Sequence, residues 1–365
     1  MNNALRRPVA AVTLATAAIV AASAPANAGG TSTADFRVLP YQLAPALDGI
    51  LLTWFTTSDA AGTVSITGPG LDEPLVLPSM PMLEPVLDYQ AEAELTAGGE
   101  FPFADTAIFE APGVPARNWR HRVRVTGLEA DALYSYTVTQ GDSSYTNTFR
   151  TAPTADTDRS MRFIAISDSE TLVRGRTRFR DWSRTTPQIP GSTGRPEGSG
   201  IGRTLYVLPE TEGYRANIEQ IEARDPDLMI MPGDLVEGTG NEQQRRWDEF
   251  WRHNAGEYDD LLSGRPLVAA WGNNCAFNGG AGGFNPNVQY ARNQWSAYFD
   301  WPGNGSPEFK DLYYRTDYGP VTIITLCSVG AMGENDDVAP PVGQGISSKF
   351  PLNLDTNRAW LTAYP

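Results

Sequence analysis

Three short apolar runs in this sequence end on an oxygen-bearing side chain. Residues 162–167 lead to Asp168, residues 228–231 pass through Pro232 and Gly233 to Asp234, and residues 266–271 lead through Gly272 to Asn273. Two carboxylates and an amide are hard ligands, suited to divalent metals such as Mn, Mg or Fe, with imidazole broadening the choice. Open α/β sheets bind ligands at the carboxyl ends of their strands, where all three residues would lie. Two ions held about 3.5–4 Å apart polarise a phosphoryl group and generate a hydroxide nucleophile. The carboxylate of the middle strand, Asp234, suits the bridging position. Each residue alone reads as a turn or a cap; the three in this order point to a metal site.

The surrounding pattern supplies the elements that such a site needs. Tyr214, Ile218 and Ile221 recur at helical spacing before Asp225-Pro226. Trp247, Phe250 and Trp251 mark a second apolar helix face, and Ala291, Trp295, Tyr298 and Phe299 a third. Residues 313–317 and 321–326 read as a hairpin around Tyr318-Gly319-Pro320. Strands alternating with helices predict a largely parallel sheet covered by helices. Residues 174–211 interrupt it, too long for an ordinary loop. Their run Arg174, Arg176, Arg178 and Arg180 reads either as a lean over a phosphate site or as a solvated insertion, and the insertion is the simpler reading.

Residues 36–153 carry a different pattern. Residues 50–55, 62–66, 121–125, 133–138 and 145–149 are strand-like, with a hairpin signal at Gly141-Asp142. Several short strands with turns between them predict an all-β sandwich. A polar linker, residues 154–159, separates it from the α/β part beginning near 160. Ahead of both, Arg6 and Arg7 precede an apolar run over 9–22, and Ala26-Asn27-Ala28 offers a cleavage position. Residues 1–28 are therefore expected to be a secretory signal peptide, with a secreted, extracellular or periplasmic product. No other stretch is apolar and long enough to span a bilayer.

Charge and cysteine content narrow the function classes. The net charge of −15 repels nucleic acid and anionic lipid but admits a small phosphorylated substrate where metal ions dominate the local field. Cys275 and Cys327 read either as one bridge or as two buried thiols, the latter being the simpler. His121 and His253 are the only histidines; His121 falls in a strand, and His253 reads as a helix-end or packing residue.

Residues 36–153 resemble a fibronectin type III-like domain, on Trp54, the Gly127-Leu128 corner, Tyr134, Tyr136 and the exit over 149–153. The proline-rich stretch 71–111 departs from that pattern. Residues 233–236, Gly272-Asn273-Asn274 and 313–320 resemble the calcineurin-like metallophosphoesterases, nearest the purple acid phosphatase branch, which also places a fibronectin-like domain first. That resemblance implies an αββα-type layered domain over 160–365. It implies two metal ions (Fe, Mn, Zn or Mg), with Asp168 on one, Asp234 bridging and Asn273 on the other. It implies hydrolysis of phosphomonoesters by a two-metal-activated hydroxide.

The departures are chemical. Asn274 stands where the family has its phosphate-binding, proton-donating histidine; it donates a hydrogen bond but no proton, removing a contribution of about 10²–10⁴. Glu170 stands where many relatives have histidine and either coordinates or caps its loop. Glu237 replaces the tyrosine that gives purple enzymes their colour. The family's later Gly-His and Gly-His-x-His ligands have no counterpart here, so the C-terminal part of the domain is expected to be missing. The alternative class is a non-catalytic secreted binding protein, a pseudophosphatase. An acidic run at 334–337 reads as solvated surface.

Overall fold

The computed structural model describes residues 35–88, 118–169, 177–181, 205–236, 243–272, 275, 288–305 and 311–327. The described residues open with β1 (Phe36–Ala46) and β2 (Gly49–Thr56), an antiparallel hairpin closed at Leu47-Asp48. β3 (Gly62–Thr67), β4 (Leu75–Ser79) and the two-residue β5 (Met82–Leu83) follow, then β6 (Trp119–Val125). β7 (Leu133–Gln140) and β8 (Ser143–Arg150) form the hairpin expected at Gly141-Asp142. A four-stranded sheet in the order β4-β3-β7-β8 packs on one face of β2, where the Trp54 indole donates to Gln140 at 3.3 Å.

The remaining strands are β9 (Phe163–Ala165), β10 (Thr177–Asp181), β11 (Leu205–Pro209), β12 (Leu228–Met231) and β13 (Leu267–Ala269), then β14 (Tyr314–Tyr318) and β15 (Val321–Thr325). Helices α1 (Glu210–Glu222), α2 (Gln243–Asn254), the four-residue α3 (Leu261–Gly264) and α4 (Val288–Tyr298) alternate with them, as the periodicity predicts. β9, β12 and β13 are parallel neighbours, and β14 and β15 pair as a hairpin. β10 and β11, within the Arg-rich stretch, pair with each other.

One sheet runs through both parts of the chain. Its order is β5-β6-β2-β1-β13-β12-β9, and β1 meets β13 in parallel at Leu43 and Leu267. Every residue of β2 is buried, which a strand achieves only when both of its faces are covered. On the face away from the four-stranded sheet, Tyr41 packs on Trp251 of α2 and Phe55 on Tyr298 of α4. Trp247, Trp251, Trp295, Tyr298 and Phe299 complete a continuous aromatic layer, the helix faces legible in the sequence.

β6 shows how charge serves this packing. Arg120, Arg122 and Arg124 alternate along one face of the strand, buried at Arg120, half-buried at Arg122 and exposed at Arg124, and each finds a backbone carbonyl. Arg120 donates to the Ala297 carbonyl at 3.0 Å, Arg122 to that of Ser296 at 3.2 Å, and Arg124 to that of Ala44 at 3.0 Å. Cations at a helix C-terminus satisfy its last carbonyls and complement its dipole. Glu84 and Asp300 supply counter-charges to Arg120 and Arg122. Along the linker over 154–159, Arg159 ties both sides together through Asp131 at 2.8 Å and Asp227 at 2.6 Å.

Candidate functional site

The register of the three parallel strands fixes where the expected ligands fall. Ala165 pairs with Ile230 and Met231 with Ala269. Asp168, Asp234 and Gly272 therefore stand just beyond the carboxyl ends of β9, β12 and β13, at one sheet edge. Pairing continues past the strands, with the Ile166 N–H on the Ile230 carbonyl at 3.0 Å and the Ala270 N–H on the Met231 carbonyl at 2.9 Å. It ends with the Asp168 N–H facing the Gly233 carbonyl at 3.4 Å.

Both aspartates adopt the left-handed backbone conformation, Asp168 at φ 55° and Asp234 at φ 53°. This conformation is uncommon outside glycine but is tolerated by aspartate, and strained residues cluster at functional sites. Asp131 and Asp225 also have positive φ, so conformation alone marks nothing; its coincidence at two adjacent strand ends does. Gly272 makes the close approach possible. A Cβ there would lie 2.2 Å from both the backbone nitrogen and Oδ1 of Asp234. Gly233, at φ 134°, faces it so closely that a Cβ would meet the Gly272 Cα at 3.0 Å. The missing side chains make room for a carboxylate.

Hydrogen bonds beneath the carboxylates join the two loops. Ser167 donates to the Asp168 carboxylate, and Ser169 donates to the Leu235 carbonyl at 2.8 Å. Tyr214 of α1 reaches Ser169 and also accepts from Asn254 at 3.1 Å, and burial pushes its phenol up to about 12. Cys275 is 1% exposed, and burial, opposed by backbone hydrogen bonds and reinforced by the Asp234 charge, pushes its thiol up to about 11. Without a bound cation the thiol form is thus favoured at neutral pH, which suits a packing role. Cys275 and Cys327 are both buried thiols, not a bridge. On the far side of the site, Tyr314 caps β13. Its hydroxyl accepts from the Ala269 N–H at 2.9 Å and donates to the Ala269 carbonyl at 2.5 Å.

Asp168 and Asp234 are thus brought to one edge, while Asn273, Asn274 and Glu170 lie outside the described residues. So do Arg174, Arg176 and the run at 334–337; Arg178 and Arg180 are described only as backbone within β10. His253 is buried in the last turn of α2, its ring 4.6 Å from Tyr214 and its Nε2 3.5 Å from Glu249, which matches the helix-end and packing reading. His121 is buried in the sandwich, stacked on Trp54 and held by the Thr56 and Ser79 hydroxyls at 3.2 Å each.

The fold also assembles a group that periodicity does not reveal. Glu222, Asp259 and Asp260 bring one carboxylate oxygen each within 4.8 Å of the others. Glu222 ends the helix leading into β12, and Asp259-Asp260 precede α3 and β13, so the trio lies toward the amino ends of those strands. Tyr145 of β8 donates to Asp260 at 2.5 Å. Partial burial, then the charges of Asp259 and Asp260, push Glu222 up to about 7. The adjacent Asp259-Asp260 pair was the available signal; Glu222 is distant in sequence.

No family model matches the chain, and no curated protein does. Seven chains of solved structures match it. One, a structure of PhoD, has a TM-score of 0.48 and 11% sequence identity, over 82% of this chain and 53% of that one. The chain spans about half the length of that structure. No residue here takes a role from that likeness.

Proposed function

We propose that this chain is a secreted, metal-dependent phosphoesterase whose ions are held at the carboxyl ends of β9, β12 and β13. The observation that carries the reading is the pairing of Asp168 and Asp234, two left-handed aspartates on adjacent parallel strands, with Gly272 leaving room for the second. Their oxygens fit hard cations. Asp168 and Asp234 would hold the ions, with Asn273 as the further donor implied by the sequence resemblance and Glu170 either a donor or a loop cap. Bound cations supply positive charge to a phosphoryl oxygen.

The chain's own residues orient that chemistry. The Asp168 N–H on the Gly233 carbonyl and the Ser167 hydroxyl on Asp168 fix one carboxylate, and the Gly233–Gly272 approach fixes the other. An asparagine at position 274 could donate a hydrogen bond to a phosphate oxygen but has no proton to deliver to the leaving group. Phosphomonoesters with acidic leaving groups are therefore the preferred class. In this reading residues 36–153 form an accessory sandwich, residues 160–365 carry the site, and residues 1–28 direct export.

A second reading, a non-catalytic binding protein, draws on one feature of the sequence: Asn274 stands where the resemblance places a proton-donating histidine, and a carboxamide has no proton to give a leaving group. Turnover separates the two. Manganese-loaded protein is expected to hydrolyse 4-nitrophenyl phosphate, chelation to abolish this, and Asp234→Asn to lower the rate at least about 100-fold. Absence of metal-dependent turnover contradicts the enzyme reading and favours the binding protein.

A further inference from the structure

The backbone just after Asp234 is gripped from two sides by residues that have no role in the ligand set. Ser169 holds the Leu235 carbonyl at 2.8 Å from the β9 loop. Cys275, from beyond the β13 loop, takes backbone hydrogen bonds from Val236, Gly272 and Leu235 on its buried sulfur. Leu235 and Val236 are themselves 1% and 0% exposed, so this short segment is enclosed. Ser169 is backed in turn by Tyr214 and, through it, by the fully buried Asn254. A contact chain therefore runs from α2 through α1 and the β9 loop to the residue after Asp234.

We propose that Ser169 and Cys275 are positioning residues, a two-sided clamp on Leu235-Val236 that sets the Asp234 carboxylate against Asp168. This rests on the reading of Asp168 and Asp234 as metal ligands. The physical reason for a clamp is local. Asp234 sits in a left-handed conformation between two glycines, Gly233 before it and Gly272 across from it, and glycine adds no side chain to hold the turn. The next two residues, Leu235 and Val236, contribute order, because their backbone is tied to the loops on either side. Serine reaches a carbonyl across the loops, and a buried thiol accepts amides without introducing charge beside a carboxylate.

The test is manganese binding by the full chain, measured as the loss of the free-ion paramagnetic resonance signal, alongside thermal unfolding without metal. Ser169→Ala and Cys275→Ala are each expected to weaken binding about tenfold, within the ~10–100-fold range for groups that orient ligands, while the metal-free melting temperature stays close to wild type. Ser169→Thr, which keeps the hydroxyl, and Cys275→Ser, which keeps an acceptor, are expected to restore most of the affinity. Asp234→Asn separates the two claims. If it weakens binding and both alanine variants bind like wild type, the clamp is refuted and the ligand reading stands. If Asp234→Asn binds like wild type, the ligand reading fails and the clamp falls with it. If an alanine variant unfolds, its conservative partner decides, because a hydroxyl without restored affinity also contradicts the clamp.

Discussion

Asp234 and Gly272 define the site at the scale of single residues, and the pair is more demanding than either residue type suggests. A Cβ at Gly272 would have to displace both the backbone and Oδ1 of Asp234. Gly272→Ala is accordingly expected to destabilise the protein by about 1–3 kcal/mol, seen as a lower urea midpoint, and to reduce manganese affinity together with stability. His121 offers a residue-scale test of the sandwich. Burial pushes its imidazole down to about 4, below the ordinary 6.5, so the folded state favours the neutral ring. Its stabilising contribution is complete above pH 6.5 and is lost as pH falls toward 4. Unfolding free energies measured from pH 7 to 4 should fall steeply in wild type and less so in His121→Asn; equal slopes contradict this. Asp168, Asp234 and Gly272 were legible because each ends an apolar run. Ser169 and Cys275 were not, since a lone serine or cysteine announces no contact partner.

Whole elements carry surprises whose origin lies in what periodicity measures. Alternation in β6 correctly indicated one apolar face and one polar face. It could not say that Arg120 and Arg122 meet the carbonyls ending α4, because arginines facing water and arginines facing a helix end give the same pattern. Arg120→Ala removes a nearly buried cation from both Glu84 and those carbonyls, and a loss of about 3–5 kcal/mol is expected in equilibrium denaturation. β1 was obscured for another reason. Pro40 and Pro45 read against an interior strand, yet β1 lies between β2 and β13. Its pairing with β2 shifts register three times and Ala44 has φ 44°, irregularities that accommodate the prolines. At the junction of α1, α3 and β8, the carboxylate trio predicts a pH dependence opposite to that of His121. Glu222 is raised from 4.5 to about 7 by partial burial and by Asp259 and Asp260, with Arg265 opposing. Stability should be greatest below 4.5 in this respect and decline as pH rises through 7; Glu222→Gln should flatten melting temperatures between pH 5 and 8.

Taken as a molecule, the described residues between 35 and 327 belong to one unit, and the shared seven-stranded sheet is the physical reason. The change of pattern near residue 154 was plain in the sequence, because alternation with turns gives way to strands alternating with helices. The pairing of β1 with β13 was not, since a single parallel bridge between residues over two hundred positions apart leaves no local trace. Further ties cross the same seam, including the Leu39 N–H on the Ala255 carbonyl at 2.9 Å and the Tyr136 hydroxyl on the Ser263 carbonyl at 2.8 Å. A single calorimetric transition is expected for the whole protein; separate melting of the two parts would contradict the shared core.

A metal ion bound at the carboxyl ends of the parallel strands is the central claim, and the fold offers a rival carboxylate grouping at the opposite ends of the same strands. Anomalous diffraction at the manganese absorption edge, from crystals equilibrated with manganese, distinguishes them directly. Density is expected against Asp168 and Asp234 at the carboxyl ends of β9 and β12. Density confined to Glu222, Asp259 and Asp260, with none at Asp168 and Asp234, would contradict the claim.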